Sequence, residues 1–166
     1  MKTLRILSIF LFILFGIGGD TFAQSKKEIR TKAKIAEVSK LLSSKRFAFK
    51  AQSAQPLRGG NFNITSDYDL AVKSDTLLSY LPYFGRAFSA PINPTNSPLN
   101  FTSTQFTYTS NKGKKGSTDI KIEIKDSKID VRQYLLSVSE QGYATLQTLS
   151  NNRDPITFNG YITGLQ

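Results

Sequence analysis

From Arg46 onward the apolar residues return at every second position, and this period limits the fold more than any other feature. In "STDIKIEIKD" Ile120, Ile122 and Ile124 alternate with Asp119, Lys121, Glu123 and Lys125. Successive side chains of a strand point to opposite faces, so such a segment buries one face and wets the other. The same rhythm sets Phe47, Phe49 and Ala51 inward in "RFAFKAQ", Tyr68, Leu70 and Val72 in "YDLAVKS", and Phe106 with Tyr108 in "TQFTYTS". "TLLSY", "VRQYLLSVS", "GYATLQTLS" and "ITFNGYITG" add four more strands, joined by turn signals such as "SD" and "EQG". Short strands separated by turns at this spacing form an antiparallel sandwich or barrel.

Ahead of Arg46 the period is helical. "SKKEIRTKAKIAEVSKLLSS" predicts a helix over Ser25–Ser44, with Ser25 and Glu28 spaced as a capping box. Ile29, Ala33, Ala36 and Lys40 share one side, and Val38, Leu41 and Leu42 widen the apolar stripe toward the C-terminal end. The expected fold is α+β: an N-terminal helix (24–45) on a curved, mostly antiparallel β-sheet or barrel-like meander of about eight strands (46–166), forming one domain.

The residues before the helix read as a processing signal. Lys2 and Arg5 precede the apolar run Ile6–Ile17, and Thr21 and Ala23 supply the small residues of a cleavage site. A membrane span needs about 20 apolar residues, so removal of 1–23 and export to the periplasm or outer envelope of a Gram-negative bacterium are expected, with no transmembrane span afterwards. The remaining chain is long enough to build a core without staples.

The chain has no cysteine and no histidine. Thiol catalysis, iron–sulfur clusters, Cys- or His-based zinc sites and Ser-His-Asp triads are therefore excluded. Enzymes built on Asp, Tyr and Arg stay open. Asp67 and Asp69 point to one side of a strand, but no acidic loop surrounds them to complete a calcium shell. Asp75 and Asp126 read as turn residues. No catalytic residue, metal or cofactor is assigned.

The net charge is +10, which favours anionic partners. Lys26, Lys27 and Lys34 on the helix, and Lys112, Lys114 and Lys115 in the hairpin tip "NKGKKGS", are the candidate contacts to an anionic surface. These segments lack interleaved aromatics, so nucleic acid is not an expected partner.

The segment "LPYFGRAF" is the other candidate site. Pro82 ends regular pairing, Gly85 permits a turn, and Arg86 follows. In "SNNRDPITFNG", Arg153 also sits beside a turn. Two such arginines suit a clamp on a carboxylate or phosphate, with Tyr83, Phe84 and Phe88 walling an apolar pocket beside Arg86 and Arg153. The competing reading is structural: the arginines pair internally and the rings fill the core. The Pro-rich run Ser89–Asn100 is expected to be an irregular surface loop, a candidate lid or partner contact.

"YLPYFGRAF", "FTYTSNKGKKGSTDIKIEI" and "GYATLQTLSNNRDPITFNGYI" together resemble the domain-of-unknown-function family 4251, small exported proteins of Gram-negative bacteria, over about Phe47 to Leu165. The resemblance implies secretion and a mainly β domain, and implies no activity, ligand or catalytic residue. Asp75-Thr76-Leu77 is similar to an acceptor for O-linked glycans in some such bacteria, and reads equally as a hairpin turn. The expected function is an exported, envelope-associated, non-enzymatic binding or interaction module for a small anionic or apolar ligand or an envelope component. The alternatives are a hydrolase or lyase using Asp, Tyr and Arg, and an electrostatic binder of anionic envelope polymers.

Overall fold

The computed structural model describes residues 20–88 and 97–165. Residues 1–19, which make up most of the segment 1–23 read as a cleavable signal, residues 89–96 of the Pro-rich run and residue 166 lie outside the described residues. Helix α1 spans Asp20–Ser44 and is followed by β1 (Arg46–Pro56), β2 (Phe62–Asn63), β3 (Asp69–Lys73), β4 (Thr76–Tyr80) and β5 (Asn100–Ser103). Then come β6 (Phe106–Lys112), β7 (Thr118–Ile124), β8 (Val131–Val138), β9 (Tyr143–Ser150) and β10 (Ile156–Thr163). Residues up to Lys34 form one compact unit, which in its described part is the first portion of α1; Ile35–Gln166 form the other. No described helix is long and apolar enough to cross a membrane.

The alternating segments become strands, as their period requires. Ile120, Ile122 and Ile124 are buried in β7, and Phe47, Phe49, Leu70 and Val72 are wholly buried in β1 and β3. All described pairs are antiparallel, in the order β5-β4-β3-β1-β10-β9-β8-β7-β6, with β2 added beside β1. Ser74 and Asp75 make the expected two-residue turn between β3 and β4, Ser74 adopting φ 54°.

Two strands exceed the eight expected. β2 is two residues long, too short to show a period. β5 emerges from what reads as loop: Leu99 is fully buried and Asn100 opens the strand. Ser97 Oγ donates to the Leu81 carbonyl (2.6 Å) and Asn100 Oδ1 accepts from Leu81 N (3.1 Å), tying this segment to the end of β4.

The helix also differs from expectation. It begins at Asp20, so Ser25 lies inside it and does not start it. Ile29, Ala33 and Ala36 are exposed, while Val38 and Leu42 are buried and Ile35 and Leu41 partly so. The physical reason is area: the Ile29–Lys40 side is mostly alanine, and the neighbouring side carries the larger branched side chains, which gain more on leaving water. The helix stops at Lys45, whose N–H reaches the Leu42 carbonyl (3.2 Å) with φ 52°.

The sheet curls until its two halves meet. Tyr134 of β8 is wholly buried, and its hydroxyl lies 2.8 Å from Ser79 Oγ of β4, although β3, β1, β10 and β9 separate those strands within the sheet. Ser79 Oγ donates to the Leu99 carbonyl (2.6 Å), so the Tyr134 hydroxyl donates to Ser79. The edge strands β5 and β6 are consecutive in the chain, linked by Thr104 and Gln105 alone, which leaves the barrel-like wall nearly closed.

This chain of two bonds predicts an asymmetry. Tyr134→Phe leaves Ser79 bonded to Leu99 and should cost about 1 kcal/mol, whereas Ser79→Ala strands both a phenol and a carbonyl and should cost roughly 2–3 kcal/mol. Chemical denaturation of the two variants gives the comparison, and equal losses would contradict the bond order.

Candidate functional site

The segment around Arg86 and Arg153 is built as a latch between turns. Ala87 bridges Arg153, Phe88 N donates to the Asn152 carbonyl (2.9 Å) and Asp154 N to the Arg86 carbonyl (3.0 Å). The backbones of the two predicted arginines are thus adjacent, but their side chains do different things. Arg153 is largely buried and its Nε donates to Asp130 Oδ2 (3.1 Å), while Asp130 Oδ1 accepts from Asn152 N and Nδ2. The Arg153 guanidinium also lies 5.5 Å from the centre of the Tyr83 ring.

Arg86 is exposed, and its side chain makes no hydrogen bond or ion pair among the described residues. Tyr83 directs its single hydroxyl proton between the Arg86 and Asp154 carbonyls (2.9 and 3.0 Å). Burial and the nearby Asp154 push its ionisation above the ordinary phenol value. Phe84 turns away and stacks on Phe62, with ring centres 4.8 Å apart. Tyr83 and Arg153 therefore meet, whereas Phe84 and the Arg86 head group do not join them.

The remaining predicted positions are surface ones. Lys26, Lys27 and Lys34 are exposed on α1 in the first unit. Lys112, Lys114 and Lys115 are exposed at the β6–β7 hairpin, where a 3-10 turn spans Lys114–Gly116 and Lys115 takes φ 53°. Among the carboxylates, Asp69 pairs with Lys50 (3.1 Å) and Asp119 accepts from Ser137 Oγ (2.7 Å). Glu123 sits between Lys121 and Lys125, whose hydrogen bonds pull its pKa down to about 2. Thr76 Oγ1 donates to Asp75 Oδ1 (3.0 Å), and Leu77 is fully buried, as suits a hairpin entering a strand. No cluster of acidic ligands able to hold a metal occurs among the described residues.

A different place has the form of a binding site. Within the second unit, a cleft of about 650 Å³ opens between the end of α1 and the β6–β7 hairpin, well inside the range of small-molecule pockets. Ile35, Val38, Leu42 and Tyr108 give it apolar walls; Ser39, Ser43, Ser117, Thr118 and Ser139 supply hydroxyls; Lys45 and Lys112 supply positive charge, with Glu140 near the hairpin. Lys45 Nζ stands 5.1 Å from the centre of the Tyr108 ring.

Two features of this cleft run against ordinary packing. The Tyr108 hydroxyl is closed off from water and has no hydrogen-bond partner among the described residues, which costs roughly 1–3 kcal/mol. Burial raises its pKa to about 12. Lys45 holds the left-handed conformation that ends a helix, where glycine is the usual residue. The sequence places Tyr108 on the inner face of its strand but not at a cleft. Lysine in the position of a helix-ending glycine, just before a strand, was the available signal.

The fold and the cleft together describe a small domain in which the end of a helix packs on a curled antiparallel sheet and leaves a pocket at its margin. The family model for "Domain of unknown function (DUF4251)" matches residues 30–162, and the chain belongs to that family. It is similar to a DUF4251 family protein from Bacteroides eggerthii DSM 20697, whose crystal structure superposes with a TM-score of 0.56 at 16% identity, covering 80% of this chain and 88% of that chain. At that identity the likeness establishes the fold alone. No curated protein matches the chain.

Two tests follow from this geometry. Arg153→Ala should destabilise the domain by roughly 1.5–3 kcal/mol through the loss of a charge-assisted bond, while Arg86→Ala should stay within about 0.5 kcal/mol; thermal or denaturant unfolding decides. The Tyr108 pKa is raised on folding, so its neutral form supports the fold below pH 10, and that contribution falls away as pH climbs toward 12. A phenolate absorbance titration of the native chain minus that of Tyr108→Phe should show one late component, and a difference centred at the ordinary phenol value would refute it.

Proposed function

We propose that the protein is an exported, envelope-associated, non-enzymatic module that binds a small amphipathic anion in the cleft beneath the end of α1. Export rests on the charged start, apolar run and small-residue site of the first 23 residues. The observation that carries the binding reading is the Tyr108 hydroxyl, buried beside an apolar cleft and without a partner among the described residues. An acceptor reaches this donor once the side chains that cover it, Lys45 among them, move aside.

The neighbours define that acceptor. Val38, Leu42 and the Tyr108 ring favour an apolar body, and the Lys45 ammonium favours a negative head. Lys45 is exposed, so it can lift from the ring and follow the head group while the apolar part enters. The Arg153 latch is less suited to this work, because Asp130 already offsets its charge and the Tyr83 hydroxyl is engaged by two carbonyls.

Function and stability separate here by sign. Tyr108→Phe removes an orphaned hydroxyl and should stabilise the domain by about 1 kcal/mol, while weakening binding of decanoate, measured by displacement of anilinonaphthalene sulfonate. Lys45→Gly relieves the left-handed backbone by about 1 kcal/mol and should weaken decanoate roughly tenfold. Unchanged affinity in both variants, or no saturable decanoate binding, would overturn the cleft as the ligand site.

A further inference from the structure

The outer face of the sheet carries a second arrangement, which borders the cleft at Asn111, Ser117 and Ser139. Register places Tyr80, Asp69, Lys50, Tyr161 and Tyr143 in one line across β4, β3, β1, β10 and β9. The three tyrosines are 51%, 41% and 68% exposed in that order. Between them Asp69 and Lys50 neutralise one another at 3.1 Å. Tyr68 leans on Tyr80 with ring centres 5.0 Å apart, which steadies the end of the line.

The next line on the same face is wholly polar. Asn111, Asp119, Ser137, Thr145 and Asn159 follow one another across β6, β7, β8, β9 and β10. The two lines overlap on β9 and β10, where a shallow groove of about 440 Å³ is bordered by Gln52, Ser137, Tyr143, Thr145 and Asn159. Gly160 also lines it, and glycine there is what lets β10 lie close against β1. A Cβ there would collide with the Lys50 carbonyl, next to the register shift between Ala51 and Ser53. Thr145 Oγ1 donates to Asn159 Oδ1 (3.0 Å), which holds the amide, and the Asn159 NH₂ has no hydrogen-bond partner among the described residues. The Gln52 side-chain amide bonds to nothing among the described residues.

We infer that this face is a binding strip for a neutral glycan chain. Exposed tyrosine rings offer flat faces to the C–H surfaces of sugar rings, and neighbouring amides and hydroxyls answer the sugar hydroxyls in both directions. The charges on the strip select the ligand: Lys50 is cancelled by Asp69, and Asp119 adds a negative charge, so a polyanion gains nothing here. The strip is also long. Strands lie about 4.8 Å apart, so Tyr80 stands roughly 14 Å along the wall from Tyr161 and 19 Å from Tyr143. A linear oligomer crossing the strands meets all three rings, and a disaccharide cannot.

The test uses cellohexaose, maltohexaose and the hexamer of N-acetylglucosamine, followed by amide chemical shifts and calorimetry on the chain without its first 23 residues. At least one hexamer should bind saturably, with shifts centred on Tyr143, Thr145, Asn159 and Tyr161. Tyr143→Ala and Tyr161→Ala should each weaken it roughly tenfold, with unfolding curves confirming that both variants fold. Tyr80→Ala should weaken the hexamer and leave the matching disaccharide unchanged. Silence from all three hexamers, shifts confined to the α1 cleft, or binding by sulfated dextran alone that vanishes with salt would each overturn the proposal.

Discussion

One hydrogen-bonded chain across the interior holds the rest of this structure in place. Tyr134, Ser79 and the Leu99 carbonyl join β8 to β4 and to the approach to β5, two strands with which β8 never pairs. An antiparallel sheet of this length could remain open and twisted. A phenol buried on one half finds its acceptor only on the other half, and the carbonyl it ultimately serves belongs to the strand that leads into the seam. The Phe101 ring stacked against Tyr134, 6.3 Å away between centres, fills the space beside that link. Curl, seam and the buried position of Leu99 are one solution to one polar group in an apolar interior.

The alternating segments were legible because their period equals that of a strand and their inward residues are large. Phe47, Phe49, Ile120 and Ile122 leave the register almost no freedom, since a slip of one residue would bring charge inside. The family resemblance was legible for the same reason: its motifs include the turns that fix this register. β2 and β5 were illegible because Phe62–Asn63 holds no full period and Asn100–Ser103 follows prolines. The buried side of α1 was misread where small apolar residues and large ones compete on adjacent faces. Local sequence shows which residues are apolar; the area each one removes from water depends on the partner wall.

The candidate site divides along similar lines. Arg153 and Tyr83 attracted notice because arginine and aromatics beside turns are chemically conspicuous, yet Asp130, 23 residues away in the chain, holds the arginine. Such a partner has no local signature. Tyr108 looked like any inward residue of an alternating strand, and its missing partner is a fact of three dimensions. Lys45 is the instructive case. Its charge reads as a solvated lysine, while its left-handed backbone ends the helix and its Nζ stands 5.1 Å from the centre of the Tyr108 ring. The outer tyrosines escaped notice because each stands on a different strand, and only cross-strand register sets them in line.

The pairing of β1 with β10 has a kinetic meaning. Ala48 lies opposite Thr163, so the centre of the wall joins nearly the two ends of the sheet-forming chain, and β1 serves β3 and β2 on its other side. Contacts this distant in sequence close late, after local hairpins such as β3–β4 and β6–β7 have formed. Until the last strand arrives, β1 keeps one whole row of backbone donors and acceptors open, and the interior has no completed wall. The chain therefore stays uncommitted during most of its synthesis and gains its final geometry in one late step.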